Sequence, residues 1–151
     1  MATDAVNSKQ DLPRVAPPEP VLRPLLVVRA RLLVADDNPD IQRLFRHYLR
    51  ATGAEVDTAD NGRIALEMID AADRAARPYA LLLSDMQMPE VDGYTLARTL
   101  RERGSRVPVV AVTAHALSGD RARCLEAGCV DYLAKPVDAA LLIAVCVQWA
   151  A

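Results

Sequence analysis

The chain predicts an α/β fold, a five-stranded parallel sheet wound with helices on both faces. Three observations predict it. Short apolar runs alternate with helical patterns five times after Arg31. The runs are continuous, as in strands covered on both sides, and do not alternate polar with apolar. Acidic, hydroxyl and ammonium side chains stand at the ends of these runs, at Asp36-Asp37, Asp85, Thr113 and Lys135. Open α/β sheets carry their chemistry at such strand ends.

Leu32-Leu33-Val34-Ala35 is the first strand and stops at Asp36-Asp37. Asn38-Pro39 reads as an N-cap followed by proline at the first helical position. Ile41, Leu44, Phe45, Tyr48 and Leu49 form a helical stripe, and Gly53 ends that helix. Ala54 to Ala59 is the second strand. Asn61-Gly62 opens a helix with Ala65, Leu66 and Ile69 inward, ending before Pro78. Ala80 to Ser84 is the third strand, ending at Asp85. A loop through Pro89 and Gly93 leads to a helix carrying Leu96, Ala97 and Leu100. Val109 to Val112 is the fourth strand, and Ser118 is the expected cap of a helix ending at Gly128. Val130 to Ala134 is the fifth strand, before a last helix over 138–149.

Five strand–helix units with right-handed crossovers leave few topologies. The order 2-1-3-4-5 is the expectation. It makes the first strand central and sets Asp37 and Asp85 beside the switch point.

Ahead of this region, five of the ten prolines fall at positions 13, 17, 18, 20 and 24. Proline-rich polar sequence neither donates ladder hydrogen bonds nor buries a core. Residues 1–24 are therefore expected to be a disordered tail or linker, and 25–151 the folded domain. Residues 25–30 either extend the first strand or pack beside it. The net charge of −2 gives no broad basic field to attract nucleic acid or a membrane surface. No run approaches the ~18 apolar residues that span a bilayer. Cys124, Cys129 and Cys146 make an odd count with no CxxC pair. They read as small buried thiols in a reducing, cytoplasmic setting.

Asp36, Asp37 and Asp85 would crowd one sheet edge, where like charges resist ionisation. A cation resolves this. Hard oxygen donors with open positions suit Mg²⁺, which favours one or two carboxylates together with phosphate oxygens. Lys135 can pair with a phosphoryl oxygen, and Thr113 can donate its hydroxyl to another. Phosphoryl transfer needs this charge neutralisation and positioning. There is no GxxxxGK[ST] and no GxGxxG to hold a nucleotide. The phosphoryl group is then better accepted by a side chain, and Asp85 is the candidate nucleophile.

From Arg31 onward, about four fifths of the chain, the sequence resembles the response-regulator receiver domain of two-component signalling. The motifs are Asp36-Asp37-Asn38, Asp85-Met-Gln-Met-Pro-Glu-Val-Asp-Gly93, Thr113-Ala114, Tyr132 and Lys135-Pro136. The resemblance implies a flavodoxin-like (βα)5 fold. It implies Asp85 as acceptor of phosphate from a phosphohistidine on a histidine kinase or histidine phosphotransfer protein. Mg²⁺ would be held by Asp37, Asp85 and the Gln87 backbone carbonyl, with Asp36 assisting through water. Thr113 and Lys135 would contact the phosphoryl group. Thr113 and Tyr132 would form the switch, and the Lys135-Pro136 bond would be cis. The stretch Thr113–Asp120, with Cys124–Gly128 and Asp131–Pro136, is most similar to receivers of hybrid histidine kinases.

His115 is expected at the rim of the site, and His47 on the polar side of the first helix. Ala139–Val147 is nine apolar residues in a row. It reads either as a helix packed on the sheet under the tail or as a face for a second copy or partner helix. Two other functions are weighed. One is an interaction module that keeps the fold without phosphorylation. The other is an aspartate-nucleophile phosphatase of the haloacid dehalogenase type, whose DxDx[TV] motif this chain lacks.

Overall fold

The computed structural model describes residues 28–114 and 119–150. Five strands run in parallel in the order β2-β1-β3-β4-β5. They are β1 (Arg31–Ala35), β2 (Glu55–Ala59), β3 (Leu81–Asp85), β4 (Val109–Thr113) and β5 (Asp131–Ala134). The helices are α1 (Pro39–Arg50), α2 (Gly62–Arg74), α3 (Gly93–Glu102), α4 (Asp120–Ala127) and α5 (Ala139–Ala150). The expected topology is the observed one.

Strand alternation sorts the apolar side chains onto two faces. Leu33, Ala35, Leu82 and Ala111 face one cluster with Ile69 of α2, Leu96 and Leu100 of α3, and Cys124 of α4. Leu32, Val34, Leu83 and Val112 face the other, with Phe45 and Leu49 of α1 and Leu142, Val145 and Cys146 of α5. All three cysteines are buried free thiols. Burial pushes Cys129 and Cys146 up to about 12.

Local chemistry sets the helix starts. Asn38 accepts from the Asp40 amide at 2.9 Å, with Pro39 opening α1. Asn61 accepts from Ile64 at 2.9 Å and Asp92 from Thr95 at 2.8 Å. Gly128 closes α4 at φ +112, a left-handed conformation that suits glycine.

Several expectations need correction. The N-cap of α4 is Gly119, with no side-chain cap bond; Ser118 lies outside the described residues, as does His115. Leu44 does not join the buried stripe of α1 and is 40% exposed: Phe45 and Leu49 are buried against the sheet and α5, and Ile41 and Tyr48 pack partly buried beside them. Leu66 is only half-buried. Each of β3 and β4 runs one residue further than expected, so Asp85 and Thr113 are the last residues of their strands. The helix over Gly62–Arg74 ends before Pro78, as expected.

The proline-rich region, residues 1–24, lies outside the described residues. Val28 is buried and its amide donates to Thr52 at 3.1 Å, while Ala30 accepts from Glu55 at 2.9 Å. Residues 28–30 thus continue the pairing beside β1. Helix α5 buries Leu142, Val145, Cys146 and Ala150 and leaves Leu141 52% exposed. His47 is exposed on α1.

Leu83 is fully buried in the central part of the sheet. Leu83→Ala should cost about 3 kcal/mol, as large-to-small core changes do, read as a lower midpoint in urea unfolding. A change below about 1 kcal/mol would contradict the packing described.

Candidate functional site

Asp36 follows β1 directly, and Asp85 ends β3, its hydrogen-bonded neighbour. Parallel pairing in register therefore delivers both carboxylates to one edge. One oxygen from each of Asp36, Asp37 and Asp85 lies within 4.8 Å of the others. Asp36 and Asp85 are buried and Asp37 is exposed. β5 ends one residue before Lys135, whose Nζ lies 3.2 Å from Asp36 Oδ2 and 3.4 Å from Asp85 Oδ2. Four of the expected side chains thus share one polar cluster.

Backbone groups fix its geometry. The Asn38 amide donates to Asp36 Oδ1 at 2.8 Å, and the Gln87 amide to Asp85 Oδ1 at 3.2 Å. The Lys135 amide donates to the Thr113 carbonyl at 2.8 Å, and the Lys135-Pro136 bond is cis. Gly93 lies against the Asp85 loop. A Cβ there would stand 2.3 Å from the Asp85 carbonyl oxygen, so only glycine fits. Asp37, Gln87 and Arg123 line one shallow cleft beside the carboxylates.

Charge does not balance in this cluster. Three carboxylates face one ammonium. Burial, and then the Asp85 charge, push the Asp36 carboxyl above its ordinary range. The Asn38 amide and Lys135 pull it down without cancelling that effect. Oxygen donors with excess negative charge and one exposed member suit a hard divalent cation. Mg²⁺ therefore fits the residues present.

Thr113 is buried at the end of β4, but its hydroxyl is engaged elsewhere. Oγ1 donates to Asp120 Oδ2 at 2.8 Å, at the start of α4. The Tyr94 hydroxyl donates to Asp120 Oδ1 at 2.6 Å. Arg123 stacks 4.0 Å over the Tyr94 ring, and Arg121 lies 5.6 Å from the half-buried Tyr132 ring. The sequence reading missed Asp120 and Tyr94. The one available signal was an acid in the first turn of a helix, which by itself means only a favourable helix-dipole position.

The model of the response regulator receiver domain matches residues 32–146, so the chain belongs to that family of two-component signalling domains. It is 40% identical over 106 residues to the sensor histidine kinase RcsC of Salmonella typhimurium, covering 70% of this chain and 11% of that protein. The chain thus spans about a tenth of that kinase. The receiver domain of the sensor histidine kinase PA1611 from Pseudomonas aeruginosa, solved with magnesium in its active-site cleft, is 38% identical. The two share a TM-score of 0.68, over 80% of this chain and 97% of that one. A complex of the Saccharomyces cerevisiae phosphotransfer protein Ypd1 with the receiver domain of Ssk1 matches at 26% identity and TM-score 0.73. That match covers 82% of this chain and 90% of that one. Among the described residues, no helix is long and apolar enough to cross a membrane.

A carboxyl whose affinity for protons is raised by folding binds its proton more tightly in the native state. The contribution of Asp36 is therefore most favourable in acid. It declines as pH rises from 3.8 through the raised native value, and is a constant penalty above it. In metal-free buffer at pH 7, Asp36→Asn should raise the melting temperature by a few degrees and flatten this acid-side decline. A lower melting temperature would contradict the account.

Proposed function

We propose that Asp85 is the phosphoacceptor of this receiver. An Asp85 carboxylate oxygen attacks the phosphorus of a phosphohistidine on a histidine kinase or histidine phosphotransfer protein. The O–P bond forms, the P–N bond breaks, and the imidazole nitrogen leaves with the bonding pair. The observation that carries this is the shared position of Asp85 with two further carboxylates and Lys135, within 4.8 Å and 3.4 Å respectively.

Lys135 already touches Asp85 and is placed to pair with a phosphoryl oxygen. Thr113 would donate its hydroxyl to another, and Tyr132 would follow it in reshaping the α4–β5 face. Asp37, Asp85, the Gln87 backbone carbonyl and, through water, Asp36 would hold Mg²⁺. When bound, that ion neutralises charge on the transferring group. The Gln87 amide donates to Asp85 Oδ1 at 3.2 Å and so fixes the orientation of the carboxylate. The phosphorylated and unphosphorylated states then differ by a charge that biases a two-state face.

The likeness to a receiver holding magnesium supports the ion, and the likeness to one bound to Ypd1 supports a phosphotransfer partner. A cytoplasmic place accords with three free buried thiols.

Incubation with acetyl phosphate and Mg²⁺ should add one phosphoryl group by intact-protein mass spectrometry. The gain should vanish in Asp85→Asn and on chelation with EDTA. Modification that persists in Asp85→Asn would defeat the assignment.

A further inference from the structure

The Thr113 hydroxyl has one proton to give, and a hydroxyl donates to one acceptor at a time. In this structure the proton goes to Asp120 Oδ2 at 2.8 Å. The Thr113 backbone cannot relieve this by sliding, because its carbonyl accepts the Lys135 amide at 2.8 Å and it is paired with β5. Contact with a phosphoryl oxygen on Asp85 therefore requires the bond to Asp120 to break.

We propose that Asp120 is a positioning residue that holds Thr113 in the unphosphorylated arrangement and so sets the threshold of the switch. The inference rests on the reading of Asp85 as phosphoacceptor and adds to it the element that opposes the change. Asp120 is well placed for this. It is half-buried at the start of α4, and its other oxygen accepts the Tyr94 hydroxyl at 2.6 Å. Tyr94 is buried and capped by Arg123 from the same helix, so the carboxylate stays fixed on the α3 side. The same helix turn supplies Arg121 against Tyr132. One turn of α4 thus contacts both Thr113 and Tyr132. Release of Thr113 removes a tie between β4 and α4 and frees that turn to adjust.

A ligand that needs the released arrangement binds with an affinity reduced by the fraction of molecules already released. Removing the Asp120 acceptor raises that fraction. Loss of a hydrogen bond to a charged group predicts about a tenfold effect.

The test uses the full chain, Mg²⁺ and beryllium fluoride as phosphoryl mimic, with binding followed in every variant by fluorine NMR of the ligand and the Thr113 methyl resonance recorded wherever Thr113 is present. Asp120→Ala should bind beryllium fluoride about tenfold more tightly. Without ligand, its Thr113 methyl resonance should already lie closer to the bound position. Asp120→Asn, which keeps an oxygen acceptor without the charge, should fall between wild type and Asp120→Ala, and guards against a misfolded alanine variant. In a Thr113→Ala background, Asp120→Ala should have no effect on affinity. Equal or weaker binding by both Asp120 variants, or an undiminished effect without Thr113, would overturn the proposal. Failure of the wild type to bind beryllium fluoride in an Asp85-dependent manner would instead overturn the phosphoacceptor reading beneath it.

Discussion

Crowding of three carboxylates around a single ammonium is the constraint on which this structure turns. Asp36 and Asp85 are buried, and their oxygens and one from Asp37 lie within 4.8 Å of one another. Repulsion and desolvation both oppose this arrangement. It persists because the sheet over-determines it. β1 and β3 pair in register from Leu32 with Leu81 to Ala35 with Ser84, so the strand ends cannot move apart without breaking the central ladder. Lys135 reaches both buried acids because β5 ends beside β4, with Leu133 opposite Val112 and Ala134 opposite Thr113. The apolar clusters on both faces supply the stability that the edge gives up.

The parts of this design that were legible in the sequence are those governed by chain direction alone. A continuous apolar run buried on both faces has to end at an edge, and the residue that ends it is delivered there. Asp36, Asp85, Thr113 and Lys135 could therefore be assigned to one edge before any packing was known. Helix starts at Asn38 and Asn61 were legible for a similar reason: the capping bond is local. The two faces of the sheet were legible through strand alternation once the order was set.

What stayed hidden depends on contacts between elements. Leu44 fits the helical stripe by spacing, yet it lies beyond the line where α1 meets the sheet and α5, and spacing carries no information on where a neighbour stops. Ser118 is a better capping residue than Gly119 by propensity. The helix nonetheless starts at Asp120, whose carboxylate bonds Thr113 and Tyr94 instead of capping its own turn. The partnership of Asp120 with Tyr94 spans 26 positions and two helices, and no local pattern announces it. Thr113 was assigned correctly to the edge, but its hydroxyl partner was unreadable for the same reason.

This division between local and non-local information coincides with a division of labour. The edge residues are set by the strands and are rigid. Their placement is a property of the ladder, and a partner can change it little. The hydroxyl of Thr113 donates to Asp120 at the start of a short helix that packs mainly on α3 and β5. A bond worth about 1.5–3 kcal/mol, as one to a charged group is, lies within reach of the interaction a new phosphoryl charge provides. Breaking the β1–β3 ladder does not. A fold that must bind a charged group reproducibly and also report its presence is served by this arrangement. Its strand ends hold the charged groups in place, and the Thr113 hydroxyl beside them is tied across to α4.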